Sequence, residues 1–152
     1  MKTMKTMKTI LALIIVSMTI SCTGPSNKQA IDKSLGALCG QDLQIGKMAI
    51  NMRDKGSKRD FLQLAVDAIP QSESRKKRIM NSALEDAFNN PKLPLETYAM
   101  YRMEACYFQM SGKNIPEFLT SKMVEFLIRC DKMISQDKKY ACASAVASAY
   151  AK

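Results

Sequence analysis

Beyond residue 30, apolar side chains return every three or four residues, the period of helices that pack on one side. Ile31, Leu35, Leu38, Cys39, Ile45, Ala49 and Met52 form the first series, which ends near Gly56, a suitable helix stop. Gly36, Gly40 and Gly46 interrupt it, each costing about 1 kcal/mol relative to alanine. A second helix is predicted from a Ser57 cap through Phe61, Leu64, Ala65 and Ile69, ended by Pro70. A third starts at Ser72 or Ser74, carries Ile79, Ala83, Ala87 and Phe88 on one side, and closes at Asn89-Asn90-Pro91. Leu95 to Met110 forms a fourth, between Pro94 and Gly112. Asn114 and Glu117 around Pro116 have the form of a capping pair. The stripe Leu119, Met123, Phe126, Leu127, Cys130, Met133 and Ile134 then predicts a fifth helix. A loop at residues 135–138 leads into an alanine-rich last helix ending at Lys152. No alternating, strand-like segment competes, so the expected fold is all-α, a single small bundle of about five or six helices.

The first 21 residues obey a different pattern. Met1 to Thr9 repeats Met-Lys-Thr three times and carries Lys2, Lys5 and Lys8 without an acid. Ile10 to Ile20 is apolar apart from Ser17 and Thr19, and stops at Ser21-Cys22-Thr23-Gly24-Pro25. A basic start, a short apolar centre and a small-residue exit make a cleavable secretory signal at residues 1–21. The run is too short for a bilayer core, which takes about 20 apolar residues. Thr19 and Ser21 are both small and suit an ordinary signal peptidase.

Thr19-Ile20-Ser21-Cys22 also resembles the lipobox of bacterial lipoproteins, with Thr19 where that family most often has leucine. The resemblance implies that the Cys22 thiol is diacylated with palmitate-like chains and that the chain is cut just before it. It also implies that the new amine is acylated. Two or three acyl chains hold a protein stably on a membrane. Thr23 in second place, not aspartate, resembles lipoproteins forwarded to the outer membrane. The expected location is therefore the bacterial envelope, with a lipid anchor in the outer membrane facing the periplasm. Residues 22–30 then form a lipidated start and short polar tether, and residues 31–152 the helical domain.

Charge and cysteines narrow the function. The chain holds 23 basic and 14 acidic residues, a net charge of +9, and the signal removes three lysines. Arg75-Lys76-Lys77-Arg78 is the densest positive run and a candidate contact for an anionic surface such as lipid headgroups. Arg53, Lys55, Lys58 and Arg59 form a second group. Export, and the lack of aromatic residues interleaved in the run, argue against nucleic acid. Five cysteines reduce to an even set once Cys22 takes lipid: Cys39, Cys106, Cys130 and Cys142. Cys130 and Cys142 lie nearly equidistant from the predicted last turn and can meet across a helical hairpin. Cys39 and Cys106 pair by elimination, although four cysteines allow three connectivities and the spacing alone leaves them open.

No CxxC spacing and no histidine occur, which argues against a mixed zinc site, an activated thiolate or a Ser-His arrangement; no metal or cofactor is expected. Glu85-Asp86, Glu96, Glu104, Glu117 and Glu125 read as solvated helix faces or as charges favoured by helix dipoles. Glu104 stands apart among Tyr98, Tyr101, Arg102, Tyr107 and Phe108, and is expected to be a buried partner of an arginine or amide. The tyrosines and methionines of Tyr98–Met110 suit a contact surface, but core packing is the stronger expectation.

The spacing from Cys39 through Ala49-Ile50-Asn51-Met52-Arg53-Asp54-Lys55-Gly56 to Tyr98 and Cys106 is similar to that of small exported helical proteins of Gram-negative bacteria. Two functions follow as expectations. The first is a non-enzymatic envelope lipoprotein that binds an envelope protein as an interaction or assembly module. The alternative is a periplasmic immunity or inhibitor protein that blocks a peptidoglycan-targeting toxin or enzyme.

Overall fold

The computed structural model describes the backbone of residues 27–152 and the side chains of residues 33–152; the predicted signal and Cys22 lie outside the described residues. The packed unit is Asp32–Lys152. Six α-helices make up the described chain, so the all-α expectation holds: α1 (Asn27–Asp54), α2 (Arg59–Asp67), α3 (Ser74–Asn89), α4 (Leu95–Met110), α5 (Ser121–Asp131) and α6 (Gln136–Tyr150). A single 3-10 turn at Gln71–Glu73, set off by Pro70, leads into α3.

Local chemistry sets the helix ends. Beyond α1, Gly56 takes φ +77°, and the Ser57 amide donates back to the Met52 carbonyl. Beyond α4, Gly112 takes φ +83° and Lys113 donates to Phe108. Both are closures in which a left-handed residue lets the next amide reach a carbonyl five positions back, and glycine enters that region without a Cβ clash. At the other ends, Thr120 and Ser135 accept hydrogen bonds from the Met123 and Lys138 amides, capping α5 and α6.

Three constant registers assemble the bundle around α4. Cys39 bonds to Cys106, and Gly46 lies against Ala99; the partners are two turns apart on both helices, so α1 and α4 run antiparallel. Ser82 meets Arg102 and Asp86 meets Tyr98, one turn apart on both helices, so α3 is antiparallel to α4 as well. Arg75 reaches Asp42 while Arg53 reaches Ala87, which makes α1 and α3 parallel. Thr97 donates to the Leu127 carbonyl of α5, and Tyr140 of α6 donates to Glu104 of α4. Surrounded on these sides, α4 buries Tyr98, Ala99, Tyr101, Arg102, Ala105 and Cys106; Tyr98 and Tyr101 are core, as expected, whereas Tyr107 is half-buried and Met110 exposed. The shared core runs through Ile50, Val66, Leu84, Leu93, Met123 and Leu127.

Both disulfides form in the favoured pairing: Cys39–Cys106, 67 residues apart, and Cys130–Cys142, 12 residues apart. The second ties α5 to α6 across residues 132–135.

Local expectations fail in α2 and α5. Ser57 does not cap α2, whose N-cap position is Lys58. The buried face of α2 is Leu62 and Val66, while Phe61 (70% exposed), Leu64 (69%) and Ala65 face outward. The helix is apolar on two sides, and long-range packing chose the other one. The fifth helix starts at Ser121, not near Asn114, and ends at Asp131. Asn114 instead exchanges two backbone hydrogen bonds with Lys152, and the Leu119 amide donates to Asp86. Those bonds hold residues 113–119 in a strap, and Ile134, beyond the helix end, is 96% exposed.

Candidate binding cleft

A cleft of about 530 Å³ opens between α3, α4 and the strap at residues 112–117, with Asp42 of α1 at its base. The apolar stripes that pack the bundle place its charged groups. Cys39, Asp42, Gly46 and Ala49 share one face of α1, which turns Asp42 toward α4 and leaves it 3% exposed. Ile79, Ser82, Ala83 and Asp86 do the same on α3.

Arg102 is the hub. Its guanidinium donates to Ser82 Oγ at 2.9 Å and to the Ile79 carbonyl at 3.3 Å, and lies 3.7 Å from Asp86. Burial works against this charge, but Tyr98, Asp86 and Asp42 around it outweigh burial and hold its pKa above the ordinary value. Asp86 in turn accepts from the Tyr98 hydroxyl at 2.9 Å and from the Leu119 amide at 2.8 Å. Burial nevertheless pushes the Asp86 carboxyl up, against the opposing effect of the Leu119 amide and Arg102. One carboxylate thereby joins α3, α4 and the segment leading into α5.

Nearer the opening, Arg75 places one Nη against Asp42, at 3.0 and 3.1 Å from its two oxygens, and 3.4 Å from Cys106 Sγ. Burial raises the Asp42 carboxyl, with Arg75 and Arg102 pulling the other way. Arg78 is exposed on the same wall and makes no hydrogen bond or ion pair among the described residues. On the strap side, Lys113 sits 5.2 Å above the Phe108 ring and Glu117 adds an acid to the rim. The lining thus carries four basic side chains against two carboxylates.

The Arg75–Arg78 run does not form one patch. Consecutive helix positions point about 100° apart, so the four fan around the start of α3. Arg75 and Arg78 enter the cleft, Lys76 pairs with Glu73 at 2.8 Å, and Lys77 donates to the Asp67 carbonyl. In the second basic group, Arg53 donates to the carbonyls of Ala87, Asn90 and Leu93, fastening the end of α1 to the α3–α4 connection. Arg59 pairs with Glu85.

Compared with known families, curated proteins and solved structures, the chain matches none of them.

The carboxylates sort differently from expectation. Asp86 is buried rather than solvated, whereas Glu96 and Glu125 pair with Lys47 and Arg129 at the surface. Glu104 is half-buried and accepts from the Tyr140 hydroxyl at 2.5 Å, so its partner is a phenol, not an arginine or amide. Burial and the Glu104 contact together push the Tyr140 hydroxyl up to about 12. The sequence reading singled out neither Asp42 nor Ser82, took Asp86 as solvated, and had Arg102 only as a neighbour of Glu104. Each is a polar residue standing on an apolar helical stripe, the one local sign of a buried network. No group of three or more potential metal ligands gathers among the described residues, and no described helix is long and apolar enough to cross a membrane.

Proposed function

We propose that this chain is a non-enzymatic interaction module of a bacterial lipoprotein, anchored through acylated Cys22 and binding an envelope protein in the α3–α4 cleft. One observation carries the reading. The buried charges under the cleft are committed to each other, while Arg78 and Lys113 at its rim have no ion-paired acid among the described residues. A braced base under open donors is a preorganised binding surface, since little ordering remains to be done on association. Two disulfides favour an oxidising compartment, which fits export.

Fractionation of cells that express the full chain tests the anchor. Wild type is expected in the membrane fraction with palmitate incorporated, and Cys22→Ser is expected to lose both. A Cys22→Ser chain that stays with the membrane, alongside a wild type that remains unprocessed, overturns the anchor.

The inhibitor reading gains support from a separate feature. Ile134 stands 96% exposed at the α5–α6 turn, which the Cys130–Cys142 bond braces. A stiff turn with an apolar tip suits insertion into an enzyme cleft. Inhibition of a peptidoglycan hydrolase by the purified domain, lost on Ile134→Asp, is the outcome that favours it.

A further inference from the structure

We infer that the cleft receives an acidic segment of a protein partner, with carboxylates pairing to Arg75 and Arg78 on α3 and to Lys113 on the strap; the inference deepens the interaction-module reading and rests on it. Donor supply is the first argument. A guanidinium offers five N–H groups in a planar fork suited to a carboxylate. Arg75 spends one Nη on Asp42 and Cys106 Sγ, and Arg78 spends none among the described residues. Asp42 fixes the Arg75 head, so a carboxylate meets it already oriented.

The shape of the site selects the ligand. Pockets for small molecules are mostly apolar and close around their ligand. This cleft is mainly polar in lining and open along one side, which suits a protruding segment. Arg75 is only one-third exposed, its head held against Asp42, so a narrow acidic side chain reaches it more readily than a flat lipid surface does. The rim is also held in place. The Asn114–Lys152 backbone pair and the turn at Gly112 brace the strap that carries Lys113. Glu117 lies on that strap too and sets a selectivity rule: it repels an acid placed beside it, so a partner carboxylate is disfavoured at that part of the strap.

The test uses the full chain in living cells, with a photo-crosslinking amino acid at Gln109, which lines the cleft, or at Phe126, which does not. From Gln109 we expect a discrete protein adduct whose crosslinked peptide, read by mass spectrometry, carries Asp or Glu. Arg78→Glu should cut that adduct about tenfold, the scale of one charge-assisted hydrogen bond, and Arg78→Lys should restore part of it. Arg78 is exposed, and an unchanged near-ultraviolet circular dichroism spectrum confirms that each variant folds. An adduct from Phe126 alone, unaffected by Arg78→Glu, overturns the acidic-cleft inference and the cleft as the binding site, and leaves an interaction module that binds through another surface. Phospholipid rather than peptide at Gln109 overturns it in favour of a membrane contact. No protein adduct from either position overturns both.

Discussion

Asp86 shows how much a single carboxylate can hold. It takes hydrogen bonds from α4 and from the strap and faces the only buried arginine among the described residues. Removing one member of such a group leaves the others buried without partners. Asp86→Ala is therefore expected to destabilise the domain by about 3–5 kcal/mol in urea denaturation, with Asp86→Asn milder because the amide retains an acceptor. Asp42 makes the complementary prediction in pH. Its carboxyl is raised above the ordinary 3.8, so the folded chain holds that proton more tightly than the unfolded chain does. The ionised form then costs stability at neutral pH, and the cost fades as pH falls through the raised value toward 3.8. Relative to Asp42→Asn, wild type should gain stability between pH 7 and roughly pH 4. A difference that is flat across that range would remove Asp42 from the linkage.

Helix positions were largely legible in the sequence; which side a helix buries was legible only where one stripe dominated. In α3, Ile79, Ala83 and Ala87 are apolar on one side, and that side is buried. In α2, Phe61–Leu64–Ala65 and Leu62–Val66–Ile69 are equally periodic, and only contacts remote in sequence decide between them. The Asn114–Glu117 capping pair was chemically sound, but two backbone bonds to Lys152, 38 positions away, outweighed it. The cleft was less legible still, because Asp42, Arg75 and Arg102 converge from three helices. Gly46 was read as a weak point in α1, yet it marks the crossing with α4. An added Cβ there meets Arg102 Cγ at 3.2 Å and the Ala99 backbone at 3.4 Å. Alanine gains helix propensity against a tight fit and should be near neutral. Gly46→Leu should cost about 1–3 kcal/mol by wedging α1 away from α4, read as a fall in thermal midpoint.

At the scale of the molecule, the Cys39–Cys106 bond locks α1 against α4 at the edge of the shared core. Opening that bond by paired alanine substitution should lower stability by about 4 kcal/mol, and opening Cys130–Cys142 by about 3 kcal/mol, because the longer loop restricts the unfolded chain more. Denaturant titration of the two double variants measures the order. The longer bond also stands behind the cleft, since Cys106 lines it and Arg75 rests against its sulfur. Its loss should therefore weaken binding in the cleft as well as stability, whereas loss of the hairpin bond should leave binding in the cleft intact.

The two bonds join the last four of the five cysteines in chain order, Cys39 to Cys106 and Cys130 to Cys142. A chain entering an oxidising compartment amino end first presents Cys39, then Cys106, and only afterwards Cys130 and Cys142. If Cys22 is acylated, as proposed, an oxidant that joins each remaining thiol to the next one to arrive makes the native set directly. Such a domain has no need of an isomerase to reshuffle its sulfurs.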